Sequence, residues 1–82
     1  MMTQKSGWPG TRGGLIESIA VASALAWTAN TDAEYMHWDN RRAELEKYAG
    51  CITDAEMATI TRISIAKQYV YNALREYAEA PL

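Results

Sequence analysis

From Leu15 to Ala80 the chain carries no proline and a single glycine, Gly50. Four of the five glycines and one of the two prolines crowd instead into the first fourteen residues. A long alanine-rich stretch without proline is helical sequence, and one glycine inside it marks one strong break. Strand-like alternation and hairpin dipeptides are absent. The expected fold is all-α: a three-helix domain with helices over about 15–29, 32–49 and 54–79. Residues 1–14 read as a Gly/Pro-rich tail, and 15–82 as a single helical domain.

Two identical tetrapeptides place the starts of the second and third helices. Thr31-Asp32-Ala33-Glu34 and Thr53-Asp54-Ala55-Glu56 are capping boxes. In each, the Thr hydroxyl accepts from the amide three residues on and the Glu reaches back to the Thr amide. Gly50 then ends the middle helix in a left-handed conformation. No further similarity links the two segments, so they share capping physics and are not a repeat.

Helix 1 is apolar nearly all round, with Glu17 as its only charge. Leu15, Ile19, Ala22, Ala26 and Ala29 share one face, and such a helix is covered by several neighbours. At about 15 residues it falls short of the roughly 20 that a bilayer span needs. Ala24-Leu25-Ala26 resembles an export cleavage tripeptide, but Glu17 interrupts the apolar stretch. A cytoplasmic location is therefore expected. Helix 2 is the polar helix, with a thin apolar stripe of Tyr35, Trp38, Leu45 and Ala49 and ion pairs Asp39–Arg42 and Arg42–Glu46.

Helix 3 has the clearest periodicity. Ile63, Ala66, Val70, Ala73, Leu74 and Tyr77 are expected to form its core face, with Ile60 on the edge. A second apolar patch, Ala58, Ile65 and Tyr69, lies on the other side; Ile65 is about 160° around the helix from Ile63. Helix 3 is also long, roughly 39 Å against about 27 Å for helix 2. Its last turns, with Leu74 and Tyr77, should overhang the bundle. Apolar surface left uncovered in this way points to self-association or to a protein partner. The expected partner-binding residues are Ala58, Ile65, Tyr69, Leu74, Tyr77 and Trp8, and the expected assembly is a helical homo-oligomer. Trp8 is the expected anchor of the tail, on its own bundle or on another chain.

Composition removes several function classes. Eight basic against ten acidic residues leave a net charge of −2, with no basic footprint for nucleic acid. One cysteine excludes an intramolecular disulfide. Cys51 and the only histidine, His37, are separated by roughly 20 Å along helix 2, too far for a nucleophile–base pair. No enzymatic activity and no cofactor are expected. Gly10-Thr11-Arg12-Gly13-Gly14 follows no strand and lacks the Lys-Ser/Thr ending of a phosphate loop. A helix-turn-helix across Gly50 would present Asp54 and Glu56 to phosphates and would place Glu46 where the turn needs a small residue.

Helix 2 also carries a polar recognition stripe, Glu34, His37, Arg41, Glu44 and Tyr48, spaced 3, 4, 3, 4. Glu34 and His37 form the Glu-x-x-His spacing used by di-iron helices, but no facing carboxylates accompany them. The alternative use is an oligomeric sponge for a small anionic ligand such as a nucleotide, with Arg41, His37 and Tyr48 lining the pocket. In size, helical build and lack of catalytic groups the chain resembles small phage-borne accessory proteins, among them inhibitors of CRISPR systems. That resemblance implies a non-catalytic protein that blocks a larger protein target.

Overall fold

The computed structural model describes residues 8–79, and those residues form three helices and no strand. The first seven residues of the tail, and residues 80–82, lie outside them. The helices are α1, Arg12–Trp27; α2, Asp32–Ala49; and α3, Asp54–Glu79.

α1 begins three residues before its expected start, inside the Gly-rich segment. Thr11 is the reason: it is extended at φ −82°, ψ 163°, and its hydroxyl accepts from the Gly14 amide at 3.0 Å. Gly13 and Gly14 cost little in a first turn, where the amides have no partner within the helix in any case. The helix also stops at Trp27 and not at Ala29. Thr28 ends it, with amide and hydroxyl both donating to the Ala24 carbonyl at 3.0 Å.

α2 and α3 start where their capping boxes put them. Thr31 and Thr53 accept from the amides of Glu34 and Glu56, each at 3.1 Å. Glu56 reaches back to the Thr53 amide at 3.0 Å, as expected. Glu34 reaches one residue further, to the Asn30 amide at 2.9 Å. Gly50 has positive φ, as a break requires, yet at φ 67°, ψ −124° it is not in the left-handed helical basin. These angles mirror the (−60°, +120°) first central position of a type II turn, so the chain turns sharply into Cys51.

α1 is the central helix. α2 runs antiparallel to it and α3 parallel to it; both pack on α1, and neither packs on the other. Leu15, Ile16, Ile19, Ala20 and Ala22 of α1 meet Leu45 and Ala49 of α2 and Ile60 of α3 in one core. The small side chains of Ala20, Ala22 and Ala24 let both neighbours approach the α1 axis closely. Trp38, Ile52 and Ile63 close the core at its margin.

The inner face of α3 differs from expectation. Ile60 and Ser64 are its buried residues, and the inward line continues through half-buried Lys67, Gln68, Tyr71 and Arg75. The expected core face is rotated by roughly 100°, about one residue of helix. Ile63 alone of that face stays half-buried, whereas Ala66, Val70, Ala73, Leu74 and Tyr77 are exposed. The ends of α3 account for the rotation. Glu56 is drawn to Arg12 on α1, and Arg75 reaches Glu34 on α2 at 3.1 Å, so the line joining those two positions faces inward.

Trp8 docks on its own bundle, half-buried, against the core, with its ring 5.8 Å from that of Tyr48. That site is at the end of α2, far from the Leu74–Tyr77 end of α3. Trp8 itself therefore does not cover Leu74 or Tyr77.

Candidate functional site

Because α2 and α3 flank α1 and are joined only through side chains at one end, Arg75 to Glu34, the side of α1 between them is open. The result is a groove of about 730 Å³. Its floor is Ile19, Ser23 and Ala26 of α1, with Trp27 at the mouth. One wall is apolar and small-polar, built by α3 from Met57, Ile60, Thr61, Ser64 and Ile65. The other wall is charged, with Asp39, Arg42 and Glu46 of α2 below Tyr35.

The charged wall is held in place. Arg42 donates to Asp39 at 2.8 Å and to Glu46 at 2.7 Å, the two ion pairs read from the spacing. The hydrogen bond to Asp39, and next the one to Glu46, hold the guanidinium charged above the ordinary arginine range. Two carboxylates around one cation leave this wall with a net charge of −1. Apolar side chains crowd the groove without being covered: Trp27 is 75% exposed, and Tyr35, Met57 and Ile65 are each close to half. A concave strip with an apolar floor and one charged wall suits the apolar face of a helix.

The residues expected to bind a partner separate into three places. Ile65 lies on the groove rim, with Ala58 and Tyr69 beyond it on the outer side of α3. Leu74 and Tyr77 are exposed near the far end of α3. Trp8 is at the opposite end of the bundle, in contact with its own core.

The polar stripe of α2 has neighbours within the chain at every position. Glu34 accepts from the Asn30 amide and from Arg75, and those bonds, in that order, hold its carboxyl below the usual range. His37 stands edge-on to Trp38 at 4.8 Å. Arg41 donates to Glu44 at 3.4 Å, and Tyr48 faces Trp8. Each Glu34 oxygen thus accepts one hydrogen bond within the chain. Among the described residues, no cluster of three or more potential metal ligands occurs. Cys51 is exposed, and its carbonyl accepts from Arg12 at 2.8 Å.

No protein-family model, curated protein or solved structure matches this chain. Among the described residues, no helix is long and apolar enough to cross a membrane.

Sequence reasoning missed both the groove and the Arg12 clamp. The groove depends on the separation of α2 from α3, which no local pattern encodes. Arg12 had little signal, since Thr11 is a possible helix cap but Gly13 and Gly14 behind it are poor helix formers.

Proposed function

We propose that this chain is a non-catalytic binding protein that takes an amphipathic helix of a larger protein into the groove between α2 and α3. The observation that carries this reading is the groove itself, with helices on three sides and its apolar side chains uncovered. The fitting partner segment has an apolar face of three to four turns and a lysine or arginine flank toward Asp39 and Glu46. Occupying such a segment occludes it from its usual contacts, which is the blocking action that small phage-borne inhibitors exert. An exposed free thiol at Cys51 is in keeping with a reducing, cytoplasmic setting.

Photo-cross-linking tests the reading. A photoreactive residue at Thr61 samples the groove, and one at Glu44 samples the polar stripe. Irradiation in the producing cells should join position 61 to one protein, through a helical segment with a basic flank, and leave position 44 without that adduct. Equal adducts from both positions, or attachment through a non-helical or acidic segment, would overturn it.

A further inference from the structure

The outer side of α3 carries a pattern that the groove does not use. Arg62, Ala66, Tyr69, Ala73 and Glu76 are spaced 4, 3, 4, 3 and fall on one stripe. All five are exposed, and the stripe is nearly opposite the inward line of Ile60, Ser64 and Tyr71. Tyr69 is 74% exposed and Tyr77, on the flank, 83%. On the other flank stands half-exposed Ile65. Tyr69, Tyr77 and Ile65 thus put exposed apolar and aromatic surface on a side that the bundle does not cover.

The two charges of the stripe are symmetric about Tyr69, positive at Arg62 seven residues before it and negative at Glu76 seven after, and an alanine stands three residues before it and another four after. The two charges are 14 residues apart, about 21 Å along the helix, so they do not meet within one chain. Arg12, Arg41, Arg42 and Arg75 all form ion pairs, whereas Arg62, the remaining arginine, forms none among the described residues.

We propose that a second copy of this chain packs antiparallel along the outer face of α3, with Tyr69 beside the two-fold axis and Arg62 of each copy opposite the partner's Glu76. Reversing the direction of one helix about Tyr69 exchanges positions 62 and 76, so both ion pairs form together. A parallel pairing in register puts like charges face to face at both positions and is disfavoured. Ala66 and Ala73 bracket the axis with small side chains, which allows a short interaxial distance, and the two Tyr69 rings then lie against each other. The contact is isologous, as a two-fold dimer requires. It shares only the rim residue Ile65 with the groove, whose α1 floor and α2 wall it leaves uncovered, and the charges at positions 62 and 76 test it independently of the groove reading.

Charge exchange tests the arrangement on the full chain. Sedimentation equilibrium should show a concentration-dependent dimer for the native protein. Arg62→Glu and Glu76→Arg should each raise its dissociation constant on the order of tenfold or more at low salt, since each converts two attractions into two repulsions. The double variant Arg62→Glu/Glu76→Arg restores both pairs with reversed polarity and should dimerise like the native chain. Unchanged far-ultraviolet circular dichroism confirms that the exposed substitutions leave the fold in place. A native chain that stays monomeric at every concentration overturns the proposal. So does a dimer indifferent to the single exchanges, or a double variant no tighter than the singles.

Discussion

The guanidinium of Arg12 is forked onto the carboxylate of Glu56, with Nε to Oε2 at 2.6 Å and Nη2 to Oε1 at 2.9 Å. The same group donates to the carbonyls of Ala49 and Cys51, both at 2.8 Å. One side chain thus joins the start of α1, the end of α2 and the start of α3. It also satisfies carbonyls that a helix end leaves without partners. At the opposite end Arg75 grips Glu34, so the glutamate of each Thr-Asp-Ala-Glu box caps its own helix and receives an arginine from another.

Acid should weaken this bundle through Glu56. Its carboxyl is held down from 4.5 to about 2, first by the hydrogen bond from Arg12 and then by the Thr53 amide. A carboxylate whose folded value lies below its unfolded one contributes its full stabilisation above the unfolded value. That contribution is lost as pH falls through the folded one. Loss of stability is therefore expected between about 4.5 and about 2. Glu34 shifts in the same direction. Carboxyl NMR should show Glu56 titrating near the lower limit, and Glu56→Gln should flatten the acid limb of the stability curve. A Glu56 midpoint at the ordinary carboxylate value in the folded protein contradicts the fork.

Lysine should not replace arginine at position 12. An ammonium is a point charge and does not span a carboxylate and two carbonyls as the planar fork does. Arg12→Lys is expected to melt several degrees below the native protein, with Arg12→Ala only slightly lower. In a double-mutant cycle, Arg12→Ala and Glu56→Gln should be strongly non-additive because they share one network. Additive losses would mean that the two residues act separately.

Much of this architecture was legible because capping is local. Thr31, Thr53 and Gly50 place three boundaries from a few residues each. The inner face of α3 was not legible in the same way. Periodicity reports which side of a helix is apolar, and α3 has more apolar sides than the bundle covers. Beyond Ser64 its inward line is half-buried Lys67, Gln68, Tyr71 and Arg75, long side chains whose stems can lie inward although their ends are polar; Gln68 donates to Ser64 at 3.3 Å and Arg75 to Glu34. The groove follows from that arrangement of α3 against α2, so the candidate site was hidden along with it.

A pair of truncations on α3 measures the rotation. Ile60 is 6% exposed and Leu74 58%. Ile60→Ala should cost about 2–4 kcal/mol in denaturant unfolding. Leu74→Ala should stay within about 0.5 kcal/mol, as surface changes do. Equal costs would return Leu74 to the core.

Among the described residues Gly50 alone has positive φ, and an added Cβ there would meet nothing within 4 Å. The whole cost of Gly50→Ala is then backbone strain, about 1–3 kcal/mol. A semisynthetic chain with D-alanine at position 50 should escape that loss, because its favoured φ has the opposite sign. If the L- and D-alanine chains are equally stable, the turn has another conformation.

Ile65 distinguishes the isolated chain from the assembled one. It lies at the groove rim and on the flank of the outer α3 face, and in a single chain it is 49% exposed. Ile65→Arg should therefore change the stability of the dilute monomer by no more than about 0.5 kcal/mol. In the antiparallel dimer the same position faces the helix of the second copy, and a guanidinium there must be desolvated without a partner. Association with the folded form raises the melting temperature with protein concentration. The native protein should show that rise, and Ile65→Arg should lose it while keeping the melting temperature of the dilute native chain. Parallel concentration dependence in both proteins would place Ile65 outside the contact and remove the flank of the proposed interface.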